Sequence, residues 1–234
     1  MPILWGIGAL TLAEKPKLRL PLIGENILIA GNPRAGKTVM ARYLFSKMKD
    51  SFPHVLLFQK DKDLDGKPWE NFADETIGHH FSTSQLMDEM RHFKTVCIRP
   101  SKLTPEDLQI VWGRVCNAAL AMGNTLVIND EIAKISRPAW IHPYHLEFLE
   151  GNGRKRRCSM IQATQRLQGC PIQARTLSEH TFLYRLNPRD VRGYLASYYE
   201  EAEKILTLKP YECVYIFYDN GGQERSYVLA PVPY

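Results

Sequence analysis

Residues 31–38 read Gly31-Asn32-Pro33-Arg34-Ala35-Gly36-Lys37-Thr38, directly after the apolar run Ile27-Leu28-Ile29-Ala30. G-x-x-x-x-G-K-T between a strand and a helix is the pattern of a phosphate-binding loop. Gly31 and Gly36 supply the backbone freedom that lets N–H groups turn inward around a β-phosphate. Lys37 is placed to reach the β- and γ-oxygens, and the Thr38 hydroxyl to hold Mg2+. The following helix turns its positive end on the same phosphates. Val39, Met40, Tyr43, Leu44 and Met48 recur at helical spacing, which favours this reading over a glycine-rich structural turn. Residues 31–39, from Gly31 to Val39, are the expected nucleotide contacts.

The chain has 234 residues, 44% of them hydrophobic, enough to bury one substantial core. No linker, repeat or low-complexity stretch divides it. One α/β domain is expected: an N-terminal segment over 1–20, a core over 21–210, and a C-terminal hairpin and tail over 211–234. The net charge of +5 suits a polyanionic partner but is shared by many plain enzymes. Five cysteines, at 97, 116, 158, 170 and 213, form no close pair. They read as reduced, buried thiols, and the lack of C-x-x-C argues against a zinc finger. Met1 to Leu12 is apolar but lacks a basic start and falls short of a bilayer span. It reads as a strand on the core, the sharper alternative being a segment that docks on a neighbouring subunit or membrane surface. No apolar run reaches transmembrane length.

Along the chain, His54 to Gln59 reads as a strand and Lys60 to Phe81 as a polar loop. Thr95 to Arg99 is a strand. The next helix is well signalled: Thr104 as cap, Pro105 as first residue, and a stripe of Leu108, Val111, Val115, Ala118 and Met122 ending at Gly123. Strands follow at Thr125–Asn129, Cys158–Ala163 and Thr181–Leu186, with Leu146 to Leu149 in a short helix. Asn187 caps a helix starting at Pro188, with Val191, Tyr194, Leu195, Tyr198 and Ile205 on one face. Glu212–Tyr218 and Arg225–Ala230 form a hairpin around Asp219-Asn220-Gly221-Gly222. The alternation implies a mainly parallel central sheet flanked by helices, with ligands at the carboxyl ends of its strands.

Two further stretches carry chemistry. The apolar strand Thr125-Leu126-Val127-Ile128-Asn129 runs into Asp130-Glu131. Asp130 is placed to hold Mg2+ beside Thr38, and Glu131 to polarise a water in line with the γ-phosphate. The segment Arg154-Lys155-Arg156-Arg157 leads into a strand ending Ala163-Thr164-Gln165-Arg166. The Gln165 amide can donate to the γ-phosphate and accept from the attacking water. The competing readings are a solvated acidic pair and an ordinary polar strand end.

Taken together, the loop, the Asp-Glu strand end, the arginine run and the Ala-Thr-Gln strand end resemble the FtsK–HerA superfamily of pumping ATPases. The resemblance covers residues 22–195. In its brevity the chain is similar to the genome-packaging ATPases of tailless icosahedral viruses with an internal membrane. This resemblance implies a RecA-like P-loop NTPase of the additional-strand, catalytic-glutamate type. It implies an ATPase in a homo-oligomeric ring, usually a hexamer, that moves double-stranded DNA through a central pore. Carried over residue by residue, Lys37 and Thr38 are the loop pair, Asp130 the magnesium carboxylate, Glu131 the catalytic carboxylate and Gln165 the sensor. An arginine ahead of the sensor strand would reach the neighbouring subunit's site. Arg154 matches best by spacing, with Arg156 and Arg157 as alternatives, the competing readings of the run being a DNA-facing patch or a solvated turn. Capsid-vertex or virion-membrane proteins would be docking partners, and the host cytoplasm or the virion the place of action. Pore-facing candidates are the Lys60–His80 loop and the Arg154–Arg157 turn.

Some patterns mislead. Asp61-Lys62-Asp63-Leu64-Asp65-Gly66 imitates half a calcium loop, but Phe72 stands where the bidentate Glu belongs. Asn187-Pro188-Arg189-Asp190 imitates a guanine-selecting motif, and a helix cap explains it better. His142 and His145 read as surface or capping residues rather than metal ligands. The other functional classes considered are a Zot-like filamentous-phage assembly ATPase, which normally carries a membrane span, and a non-motor nucleotide switch or kinase.

Overall fold

The computed structural model describes residues 18–59, 69–136, 140–195, 202–218 and 222–232. The expected N-terminal strand, the calcium-like stretch at 61–66, Tyr198 and the hairpin tip at 219–221 lie outside the described residues.

The strands in chain order are β1 (Ile27–Ala30), β2 (His54–Phe58), β3 (Glu75–Ile77), β4 (Thr95–Ile98), β5 (Thr125–Asn129), β6 (Ser159–Thr164), β7 (His180–Tyr184), β8 (Cys213–Tyr218) and β9 (Glu224–Leu229). They form one sheet in the order β3-β4-β2-β5-β6-β1-β7-β8-β9. The first seven pair in parallel, and β8 and β9 close one edge antiparallel. The sheet is thus α/β and mainly parallel, as the alternation of elements required. Strand β6 lies between β1, which feeds the phosphate loop, and β5, which ends before Asp130. That is the additional-strand arrangement.

The principal helices are α1 (Lys37–Met48), α2 (Thr83–His92), α3 (Pro105–Met122) and α4 (Pro143–Glu147). The core splits into two layers, one on each face of the sheet. Leu28, Leu56, Phe58, Val96 and Val127 face α2 and α3. Ile27, Ile29, Val55, Leu57 and Ile128 face α1. Alternation along each strand decides the face, and burial on both faces explains why β1, β2 and β5 read as unbroken apolar runs. Helix α3 begins as its sequence dictates: Thr104 accepts from the Asp107 N–H and Pro105 occupies the first turn. All five cysteines are free and buried.

Several expectations are corrected. Phe81 does not end a plain loop: Trp69–Phe72 is a short 3-10 turn and Glu75–Ile77 an edge strand. Three residues of mixed polarity are too few to show a period. Helix α2 lies where no element was expected, although Ser82 and Gln85 form a reciprocal capping box ahead of it. In α1 the buried face is Met40, Ala41, Leu44, Phe45 and Met48, whereas Val39 and Tyr43 are only half-buried. The segment after Asn187 is one short α-turn and a wide turn, Pro188–Asp190 and Val191–Leu195. Val191, Leu195 and Ile205 are buried as expected. His142 caps α4, but His145 is fully buried, its Nε2 2.9 Å from Gln162 Oε1. The sequence around it gives no hint that β6 would run behind it.

Candidate active site

Strand register brings the sequence motifs together. In β1 and β6, Ala30 stands opposite Thr164; in β5 and β6, Asn129 stands opposite Gln162. Two residues on from Asn129, Glu131 therefore comes level with Thr164, across from the start of the phosphate loop. All three strand ends point the same way because the strands are parallel.

The loop is anchored on both flanks. Gly31 N–H donates to the Thr164 carbonyl at 3.2 Å, and Asn32 N–H to the Arg185 carbonyl at 2.9 Å. A Cβ at residue 31 would lie 2.5 Å from Tyr184 Cβ, so only glycine allows this approach. Gly36 precedes α1 with φ 111°, the left-handed region that glycine enters without steric cost. Pro33 and Arg34 are exposed, while Asn32, Ala35, Thr38 and Val39 are half-buried. Lys37 is buried, and its Nζ donates to the Asn32 carbonyl at 2.9 Å, folding the ammonium back over the loop where phosphate oxygens would sit. Burial lowers the Lys37 pKa, opposed by the charges of Glu131 and Asp130.

Glu131 is held rather than free. Its Oε1 accepts from Thr164 Oγ1 at 3.1 Å and from the Gln165 backbone N–H at 3.3 Å. Its own N–H donates to Asn129 Oδ1 at 3.1 Å. Burial raises the Glu131 pKa, and the Gln165 N–H, the Thr164 hydroxyl, Lys37 and Lys134 oppose that rise. A carboxylate pushed toward neutrality yet fixed by donors has the profile of a general base. Gln165 sits at the end of β6 with its side chain exposed. Asp130 follows β5, half-buried and near enough to Lys37 to act on its charge.

The donor set fits magnesium. Thr38 hydroxyl and Asp130 carboxylate are hard oxygen donors, and Mg2+ usually takes one or two protein oxygens, its remaining sites going to water and substrate phosphate. Among the described residues, no cluster of three His, Cys, Asp or Glu offers a self-sufficient metal cage.

Arg154 stands apart. It precedes β6, next to Gly24 before β1, and its Nη2 lies 3.3 Å from Glu179 Oε1, just ahead of β7. These are the amino ends of parallel strands, so Arg154 lies the length of a strand, more than about 10 Å, from its own phosphate loop. Its side chain is 59% exposed. Arg156 is exposed, and Arg157 Nε donates to Asn124 Oδ1 at 2.9 Å. The structure thus assembles the loop, Asp130, Glu131 and Gln165, and leaves the arginine run on the opposite edge. Sequence reading overlooked Thr164, although it is the middle residue of Ala-Thr-Gln. It also overlooked Tyr184 and Tyr211, whose rings come within van der Waals range of Gly36 and which carry no local signal.

No protein-family model and no curated protein matches the sequence. Solved structures do match in fold. The DNA-packaging ATPase B204 from Sulfolobus Turreted Icosahedral Virus is similar with a TM-score of 0.68 and 19% identity, over 90% of this chain and 98% of that one. The genome packaging NTPase B204 from Sulfolobus turreted icosahedral virus 2, in complex with AMPPCP, gives 0.69 and 19% over 90% and 98%. VirB4 of Thermoanaerobacter pseudethanolicus gives 0.62 and 10% over 89% and 90%. At these identities the likeness is one of fold: the chain shares the fold of the B204 packaging NTPases and of VirB4.

Proposed function

We propose that this chain is an ATP-hydrolysing motor that moves double-stranded DNA, most specifically a ring-forming ATPase that loads a viral genome into a capsid. The observation that carries the reading is the convergence of Lys37, Asp130 and a donor-held Glu131 on one loop across β6. A small-molecule kinase would also use a carboxylate base, so it is dependence of hydrolysis on DNA, and not Glu131 alone, that separates it from a motor. The fold shared with B204 and VirB4 supports the motor reading.

In this account the N–H groups of residues 31–39 and Lys37 hold the triphosphate, and Gly36 allows the loop to close around it. Mg2+, bound through Thr38 and Asp130, would neutralise charge between the β- and γ-phosphates. Glu131 orients the attacking water and accepts its proton. The exposed side-chain amide of Gln165, whose backbone N–H holds Glu131, would report whether the γ-phosphate is present. Arg154, too far to serve its own loop, is offered to the loop of a neighbouring copy in a head-to-tail ring. Its exposed pairing with Glu179 is weak enough to exchange for a phosphate contact. Hydrolysis then depends on the neighbour's position, which is what a motor needs. DNA contact would be mainly to phosphates and so sensitive to salt.

The test is phosphate release with and without double-stranded DNA at low salt. Stimulation that fades as salt rises supports the motor; hydrolysis indifferent to DNA, with no DNA binding, rejects it. A capsid role is tested separately by whether antibody to the chain labels virions or assembling particles.

A further inference from the structure

A nucleoside triphosphate bound to this loop has a direction. Its γ end must lie toward Glu131 and Gln165, which flank the loop on the β5–β6 side. Its ribose and base must then leave on the other side, toward β7 and β8. On that flank stand two tyrosines, both close to Gly36. A Cβ at Gly36 would meet Tyr211 Cδ1 at 3.0 Å and Tyr184 Cε1 at 3.1 Å.

The two rings differ in one respect that matters. Tyr184 is buried at 2% exposure and packs in the core beneath the loop. Tyr211 is 51% exposed. It sits in a tight turn closed by Glu212 N–H donating to the Lys209 carbonyl at 3.2 Å and by Lys209 N–H donating to Glu212 Oε2 at 2.9 Å. Its backbone has φ 65°, a left-handed conformation that is costly for a bulky side chain. Such an outlier persists only where its surroundings fix it, and at this position the turn holds the side chain beside the phosphate loop. Here the turn holds a half-exposed aromatic ring beside Gly36 of the phosphate loop.

We infer that the Tyr211 ring is the surface on which the base of the bound nucleotide stacks. This rests on the phosphate-loop reading and adds the subsite that reading lacks. Stacking uses the π-face, which every base has, so the platform takes purine nucleotides of either kind. The phenol hydroxyl is not required.

The experiment is calorimetric binding of MgADP, MgGDP and inorganic tripolyphosphate to the full chain and to Tyr211→Ala and Tyr211→Phe. Loss of one base–aromatic stack weakens binding by about fivefold or more. Tyr211→Ala should therefore weaken ADP and GDP by that factor and leave tripolyphosphate within about twofold. Tyr211→Phe should bind all three like the wild type. Equal weakening of tripolyphosphate would mean that the ring merely props Gly36, and unchanged ADP binding would place the base elsewhere; either result overturns the inference alone. Wild-type protein that binds neither ADP nor tripolyphosphate would overturn the phosphate-loop reading as well.

Discussion

Replacing Thr164 with valine removes one hydroxyl and little volume, at a position wholly shielded from solvent. That hydroxyl donates to Glu131 Oε1 at 3.1 Å, with the Arg166 carbonyl at 3.2 Å as a competing acceptor. A hydrogen bond to a charged group contributes about 1.5–3 kcal/mol. Because the proton is shared between two acceptors, the lower part of that range applies, about 1.5–2 kcal/mol. If the bond aims Glu131 at its water, turnover should fall about 10- to 30-fold. The pH profile should move too. Burial already raises the Glu131 pKa, and the hydroxyl is one of the groups holding it down. Without it the pKa rises further, so the acid limb of turnover against pH shifts to higher pH. Thr164→Ser keeps the donor and should restore both quantities. Steady-state phosphate release across pH, with saturating ATP and DNA, reads rate and limb together. Urea unfolding of each variant separates a catalytic loss from a folding loss. Unchanged or faster turnover in Thr164→Val, with the acid limb in place, would refute the claim that this hydroxyl holds the catalytic carboxylate.

Three other outcomes follow from the same geometry. Glu25 lies in a buried network with His180, the Leu22 N–H and Arg19; burial raises its pKa, but these partners bring it down from 4.5 to about 2. The depression contributes about 3 kcal/mol of stability, present above pH about 4.5 and lost as pH falls toward 2. The urea-unfolding gap between wild type and Glu25→Gln should accordingly be wide at pH 7 and shrink below pH about 4.5; parallel curves would contradict it. Arg154→Ala should leave ATP affinity unchanged in equilibrium binding and slow hydrolysis by on the order of a thousandfold; a loss confined to DNA binding would instead make the run a DNA patch. Lys37→Ala should abolish hydrolysis, and residual turnover above about 1% would remove Lys37 from the reacting phosphates.

Much of this was legible in the chain. The G-x-x-x-x-G-K-T loop and the Asp130-Glu131 strand end are local patterns, each contained in one short contiguous stretch of chain. The parallel sheet followed from alternation of elements, and α3 from its cap, its Pro105 and its stripe. What stayed hidden depends on contacts between distant segments. Nothing around Thr164 says that Asn129 will pair with Gln162, yet that register alone brings the hydroxyl to Glu131. Tyr211 reads as an ordinary turn residue between Pro210 and Glu212 until β8 folds back along β7 and sets it beside Gly36. His145 reads as a surface residue until β6 covers it. Edge strand β3 was missed because its pairing with β4, not its own three residues, makes it a strand.

Mixing two inactive variants tests the central claim most directly. Glu131→Gln lacks the base, and Arg154→Ala lacks the cation meant for a neighbour. If one copy supplies the loop, Asp130 and Glu131 while the next supplies Arg154, an equimolar mixture rebuilds complete sites wherever a Glu131→Gln copy lends its arginine to an Arg154→Ala copy. Random assembly then restores about a quarter of the wild-type hydrolysis rate. A mixture as inactive as its separate components, although the two variants co-assemble, would contradict a site shared between copies.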